Sequence, residues 1–151
     1  MTTFQQNLTA IKRALGIHAK RSKLGLHGTR FMVRETIFYK WECRGGKGKW
    51  NAPEFISEKA SRANDEDWTY EHAIPLSLVV KQVERLGSNP SLKSIRGILS
   101  VWDIPAVVTK GESKTLRKLK LQAKMPDGWA GPKDPFARYK KAKIKLGRNT
   151  L

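Results

Sequence analysis

Glu71 and His72 stand side by side in the stretch Asp67-Trp68-Thr69-Tyr70-Glu71-His72-Ala73-Ile74-Pro75-Leu76-Ser77. A carboxylate can ligate a hard cation, and an imidazole titrates near neutrality and can take a proton from water. Trp68, Thr69 and Tyr70 read as a short strand of aromatic and β-branched residues. Pro75 stops that strand and suits the first turn of a helix. Successive residues of a strand face opposite ways. This pair falls at the strand end, where a turn of the backbone lets both side chains reach one site.

The charge around the pair points to a polyanion. The 151 residues carry a formal net charge of +17, unevenly spread. Residues 1–50 hold 11 basic and 2 acidic side chains, residues 51–90 hold 4 and 7, and residues 91–151 hold 15 and 4. Such an excess costs self-repulsion in the folded state and favours phosphate-rich partners. Basic flanks around an acidic centre suit a protein that grips phosphates and holds a cation in the middle. Nucleic acid is therefore the expected partner, with DNA favoured over RNA. The basic residues singled out are Arg44, Lys47 and Lys49 beside a glycine-rich turn, and Lys114, Arg117 and Lys118 on a basic helix.

The Glu-His-Ala-Ile-Pro-Leu-Ser run resembles the first half of the HNH or His-Me finger endonuclease motif. There an acidic residue and a histidine end a strand, and a short apolar-Pro-Leu-Ser-like segment follows. The resemblance implies His72 as general base, Glu71 as a metal ligand, and a divalent ion, Mg²⁺ or Mn²⁺, on the scissile phosphate. It places the second ligand in the first turns of the helix after a second strand. Ala106-Val107-Val108 reads as that strand and Glu112 takes the ligand position. The chain departs from the pattern in lacking its terminal histidine, in a long helical insert between the two halves, and in having only Asn89 for its asparagine. The implied activity is metal-dependent hydrolysis of nucleic-acid phosphodiester bonds; the alternative is a non-catalytic DNA- or RNA-binding protein. A rival nuclease pattern uses Asp103 with Glu112-Ser113-Lys114, but there the Glu-x-Lys belongs inside an apolar strand.

The remaining elements are read from periodicity and punctuation. Phe4, Leu8, Ile11 and Leu15 mark an amphipathic helix over 3–15, ended by Gly16. Phe31, Val33, Ile37, Tyr39 and Trp41 fall on one face of a strand over 31–43, followed by a hairpin turn at Gly45, Gly46 and Gly48. Helices are expected at 54–63, at 76–86, and after Ser91. Thr109 and Glu112 fit a capping box that opens a basic helix to about Ala123. A short helix is expected after Asp134-Pro135, and residues from about 145 read as a flexible basic tail. Together these predict an α+β fold in one domain spanning 1–151, with a short antiparallel sheet and flanking helices; the His-Me finger resemblance implies a ββα-metal type of core. Cys43 is the single cysteine, which excludes an intrachain disulfide and a Cys-x-x-Cys zinc site. No apolar run approaches the roughly 18 residues that span a bilayer. The polar start has no secretory pattern, so a cytoplasmic location without membrane attachment is expected.

Overall fold

A computed structural model describes residues 1–151, and helices supply most of its core. α1 (Thr3–Lys23) starts in a capping box between Thr2 and Gln5. It continues through Gly16, where a side chain would meet the Ser88 carbonyl at 3.2 Å. That position serves close approach to a loop rather than helix termination. α2 (Thr29–Ile37) follows and runs on as a π-helical turn over Phe38–Glu42.

The strand expected over 31–43 is therefore a helix. Val33, Ile37 and Trp41 lie four residues apart, a spacing that shares one face in a strand and in a helix alike. All three are buried. Phe31 and Tyr39 decide between the two readings. A strand would bury them with the others, yet they are 66% and 62% exposed. The expected hairpin is absent too: Gly45 and Gly46 take φ of 76° and 78° in a tight turn, and no returning strand pairs with 31–43.

Four strands form a mixed sheet in the order β2-β3-β1-β4. β1 (Phe55–Ser57) stands where a helix was expected and runs parallel to β3 (Pro105–Thr109). β2 (Trp68–His72) pairs antiparallel with β3 along its whole length, from Trp68 opposite Thr109 to His72 opposite Pro105. The expected tail forms β4 (Leu146–Arg148), antiparallel to β1. It is tied down by Asn149, whose amide donates to the Trp50 and Pro53 carbonyls at 2.9 Å each. The α+β class holds, in a mixed rather than an antiparallel sheet.

α3 (Leu76–Glu84) opens after Pro75, and α4 (Leu92–Trp102) is capped by Ser91, both as the sequence predicts. α1 to α4 share the largest core cluster, which includes Ile11, Leu15, Ile37, Val79, Val83, Ile95 and Leu99. α5 (Lys110–Lys118) opens with the Thr109–Glu112 capping box. It stops short of Ala123 because Lys120 turns left-handed at φ 57°. α5 and α6 (Ala137–Lys141) cover the opposite face of the sheet, where Ala106, Val108, Leu116, Leu121 and Tyr139 pack together. No helix is long and apolar enough to cross a membrane.

Candidate metal centre

β2 keeps its alternation to the last residue because its pairing with β3 continues through His72. Tyr70 and His72 therefore face the same side, and Glu71 faces the other. The strand end does not turn, and this separates the two neighbours that the sequence suggested would meet.

On the Tyr70 and His72 side, the partner is Glu42. The π turn of α2 carries it inward. A π turn spaces residues by five, so the buried stripe that runs through Ile37 also brings in residue 42. Glu42 is buried, and its Oε1 lies 2.9 Å from His72 Nε2. The Tyr70 hydroxyl donates to Glu42 Oε2. Asp103, just past the end of α4, brings its Oδ1 to 3.6 Å from His72 Nε2. Both Asp103 oxygens are buried without a hydrogen-bond partner. Buried polar atoms are nearly always satisfied, so Asp103 calls for an explanation: a proton shared with Glu42 supplies one partner, and a bound cation would supply the rest. One ligand atom from each of Glu42, His72 and Asp103 lies within 4.8 Å of the others. The three residues can hold a metal ion, and the orphaned oxygens are what such an ion would satisfy.

Protonation follows from this crowding. Burial raises the Asp103 carboxyl well above the usual carboxylate range, and the Glu42 charge pushes it the same way. Burial also works against charge on Glu42, but the His72 hydrogen bond and charge, helped by Tyr70, hold it below its ordinary value. For His72, burial disfavours the imidazolium; the Glu42 hydrogen bond and charge, then Asp103 and Glu71, outweigh it and raise the ring above 6.5. Burial and Glu42 raise the Tyr70 phenol, which stays a donor.

A cation must displace the protons that His72 and Asp103 retain. Both groups have raised values, so they give up these protons only as pH climbs. Mn²⁺ affinity should accordingly increase as pH rises through the ordinary imidazole value of 6.5 and beyond it, with proton release on binding. Calorimetric titration in two buffers of different ionisation enthalpy measures both quantities. Affinity that is flat or falls across this range would show that these groups do not bind the ion.

Glu71 is occupied elsewhere. On the α5 and α6 face, Arg138 Nη2 donates to its Oε2 at 2.7 Å and the Ser113 hydroxyl to its Oε1 at 2.8 Å. Arg138 is fully buried and also donates to the carbonyls of His72, Ala73 and Leu121. Glu112 is buried in its capping box, accepting from the Thr109 N–H at 2.9 Å and the Ser57 hydroxyl at 2.6 Å. Neither carboxylate belongs to the His72 group, so the ligand set expected from the sequence is not assembled. The ββα-metal arrangement is not established. Asp103, drawn from the rival pattern, is in the group without Glu112 or Lys114.

A cleft of 780 Å³ opens over the acidic group, with Glu42 and Asp103 among its lining residues. Arg44, Lys47 and Arg96 line it as well, and all three are exposed. Lys49 lies over the Trp50 ring at 4.6 Å, outside the cleft. Lys114, Arg117 and Lys118 are exposed on α5, away from the cleft. The sequence reading missed Glu42. Its signal was the helical alternative for 31–43, in which an acidic residue next to Trp41 abuts the inward stripe. In comparisons with known proteins, no family model matches the chain, and neither a curated protein nor a solved structure does so.

Proposed function

We propose that the protein is a divalent-metal-dependent endonuclease that hydrolyses phosphodiester bonds in nucleic acid, DNA first. The observation that carries this reading is the pair of orphaned Asp103 oxygens beside Glu42 and His72 at a cleft rimmed by Arg44, Lys47 and Arg96. Glu42, His72 through Nε2, and Asp103 are the cation's protein donors, which moves His72 from general base to ligand. Two carboxylates with one imidazole suit Mn²⁺ or Mg²⁺, hard ions that accept carboxylate oxygen readily. Such an ion supplies Lewis acidity, neutralising charge on the phosphate and making water a better nucleophile. Tyr70 orients Glu42 by donating to its second oxygen. Arg138 fixes the backbone that carries His72 by donating to its carbonyl. Arg44, Lys47 and Arg96 hold phosphates flanking the reacting one, and the exposed cations of α5 add sequence-independent attraction.

Digestion of plasmid, single-stranded DNA and RNA with Mg²⁺, Mn²⁺ or EDTA tests this reading. Cutting should need the metal. Gel retardation with no cutting under any condition would leave a non-catalytic binder, the reading that the net charge of +17 alone would support. Binding itself should be strongly salt-dependent, since each phosphate contact releases counterions. Affinity that stays flat from low to moderate salt would contradict the polyanion assignment.

A further inference from the structure

The walls of the cleft are aromatic. Phe4 of α1 and Trp41 approach with ring centroids 6.0 Å apart. Phe55 of β1 and Phe136 meet edge to face at 5.0 Å. All four line the cleft together with Glu42 and Asp103. Guanidinium groups lie over three of the rings: Arg44 over Trp41 at 4.5 Å, Arg148 over Phe55 at 5.1 Å and Arg96 over Phe4 at 5.3 Å. Phe4 packs against the helical core, and Phe55 and Phe136 against the cluster beneath α6, so the rings are anchored. Flat faces interleaved with cations, on rigid supports, are the chemistry that recognises nucleobases and their phosphates at once.

We propose that this cleft takes an unpaired strand, so that the substrate class is single-stranded nucleic acid. The inference rests on the phosphodiesterase reading of the Glu42–His72–Asp103 group and narrows it. In a duplex the bases stack on one another and offer the walls no free face. An unpaired strand can place bases against Phe55 and Phe136, which no cation of the cleft covers, while its phosphates meet Arg44, Lys47 and Arg96. The cleft volume, 780 Å³, falls in the range of sites that take ligands of nucleotide size, about 300–1,000 Å³. The exposed cations of α5 attract any polyanion, and physiological salt screens that background.

The test is fluorescence anisotropy in EDTA, which measures binding without cleavage. The probe is a labelled mixed-sequence oligodeoxynucleotide, alone or annealed to its complement, at about 0.15 M salt. The single strand should bind at least about 10-fold more tightly than the duplex, and Phe136→Leu should weaken it by about 5- to 150-fold while leaving duplex binding unchanged. Equal or tighter duplex binding would overturn the proposal, as would a Phe136→Leu variant with undiminished single-strand affinity. If that variant fails to fold, Arg44→Ala with Arg96→Ala, both at exposed positions, replaces it. That pair should cost the single strand more than the duplex, and an equal loss would overturn the proposal. A parallel digestion with Mn²⁺ separates the two readings. Strand-selective binding without cutting would sink the nuclease and keep the strand preference. Cutting without strand-selective binding would do the reverse.

Discussion

His72→Ala should bind Mn²⁺ at least about 100-fold more weakly than the parent. Outer-shell partners of metal ligands alone typically contribute 10- to 100-fold, and His72 is argued to be a ligand itself. Single-turnover cleavage at limiting Mn²⁺ should fall by the same order. Removing the imidazole also removes the charge that holds Glu42 ionised, so the proton already on the Glu42–Asp103 pair is held more tightly and deepens the loss. Single-strand binding in EDTA should stay close to that of the parent, because His72 does not line the cleft. Excess Mn²⁺ should restore part of the rate, as expected for a lost ligand. A variant that binds Mn²⁺ normally but cuts about 10²–10⁴-fold more slowly at every Mn²⁺ concentration would instead make His72 a general base.

Arg138→Met should be the most destabilising of the substitutions considered. Arg138 is fully buried, pairs with Glu71 and donates to the carbonyls of His72, Ala73 and Leu121. Removing one partner of a buried pair leaves an uncompensated charge and costs about 3–5 kcal/mol. At this chain length that corresponds to roughly 6–20 °C in Tm. Several carbonyls lose their donor as well. Glu71→Gln leaves the Arg138 charge without its counter-ion but keeps the carbonyls that accept from the guanidinium, and should cost less. It should also leave the Mn²⁺ requirement unchanged, whereas a ligand role for Glu71 would raise it. Thermal unfolding followed by circular dichroism, with Mn²⁺ titration of each folded variant, measures both effects. An Arg138→Met protein as stable as the parent would show that the Arg138 network does not hold β2 to α6.

The parts legible in the sequence were those fixed by local chemistry. Pro75, Ser91 and the Thr109–Glu112 box mark where α3, α4 and α5 begin, because start signals act within a turn of chain. Trp68, Thr69 and Tyr70 identify β2 for the same reason. Val33, Ile37 and Trp41 were ambiguous because a spacing of four fits both periods, and only the exposure of Phe31 and Tyr39 separates them. β1 and β4 are three residues each and depend on pairing with distant segments, which no local pattern encodes. In the candidate site, His72 was found from its neighbours. Glu42 and Asp103 reach it from 30 and 31 residues away in the chain, Glu42 through a π turn and Asp103 from the end of α4. Glu71 was misplaced for a definite reason: the ladder between β2 and β3 extends one residue further than a strand end that turns would allow.

Calorimetric titration of Mn²⁺ into the parent protein and into Asp103→Asn tests the central claim most directly. Asp103 contributes the two orphaned oxygens, and asparagine keeps their shape while removing the charge. The parent should bind one ion per chain and release protons as it does so. Asp103→Asn should lose that site and, without the ion, should melt higher. Its carboxyl has a raised value in the folded state, so it costs stability at every pH above its ordinary 3.8, and the amide removes that cost. A parent that binds no Mn²⁺, or an Asp103→Asn variant that binds it as tightly as the parent, would contradict the account.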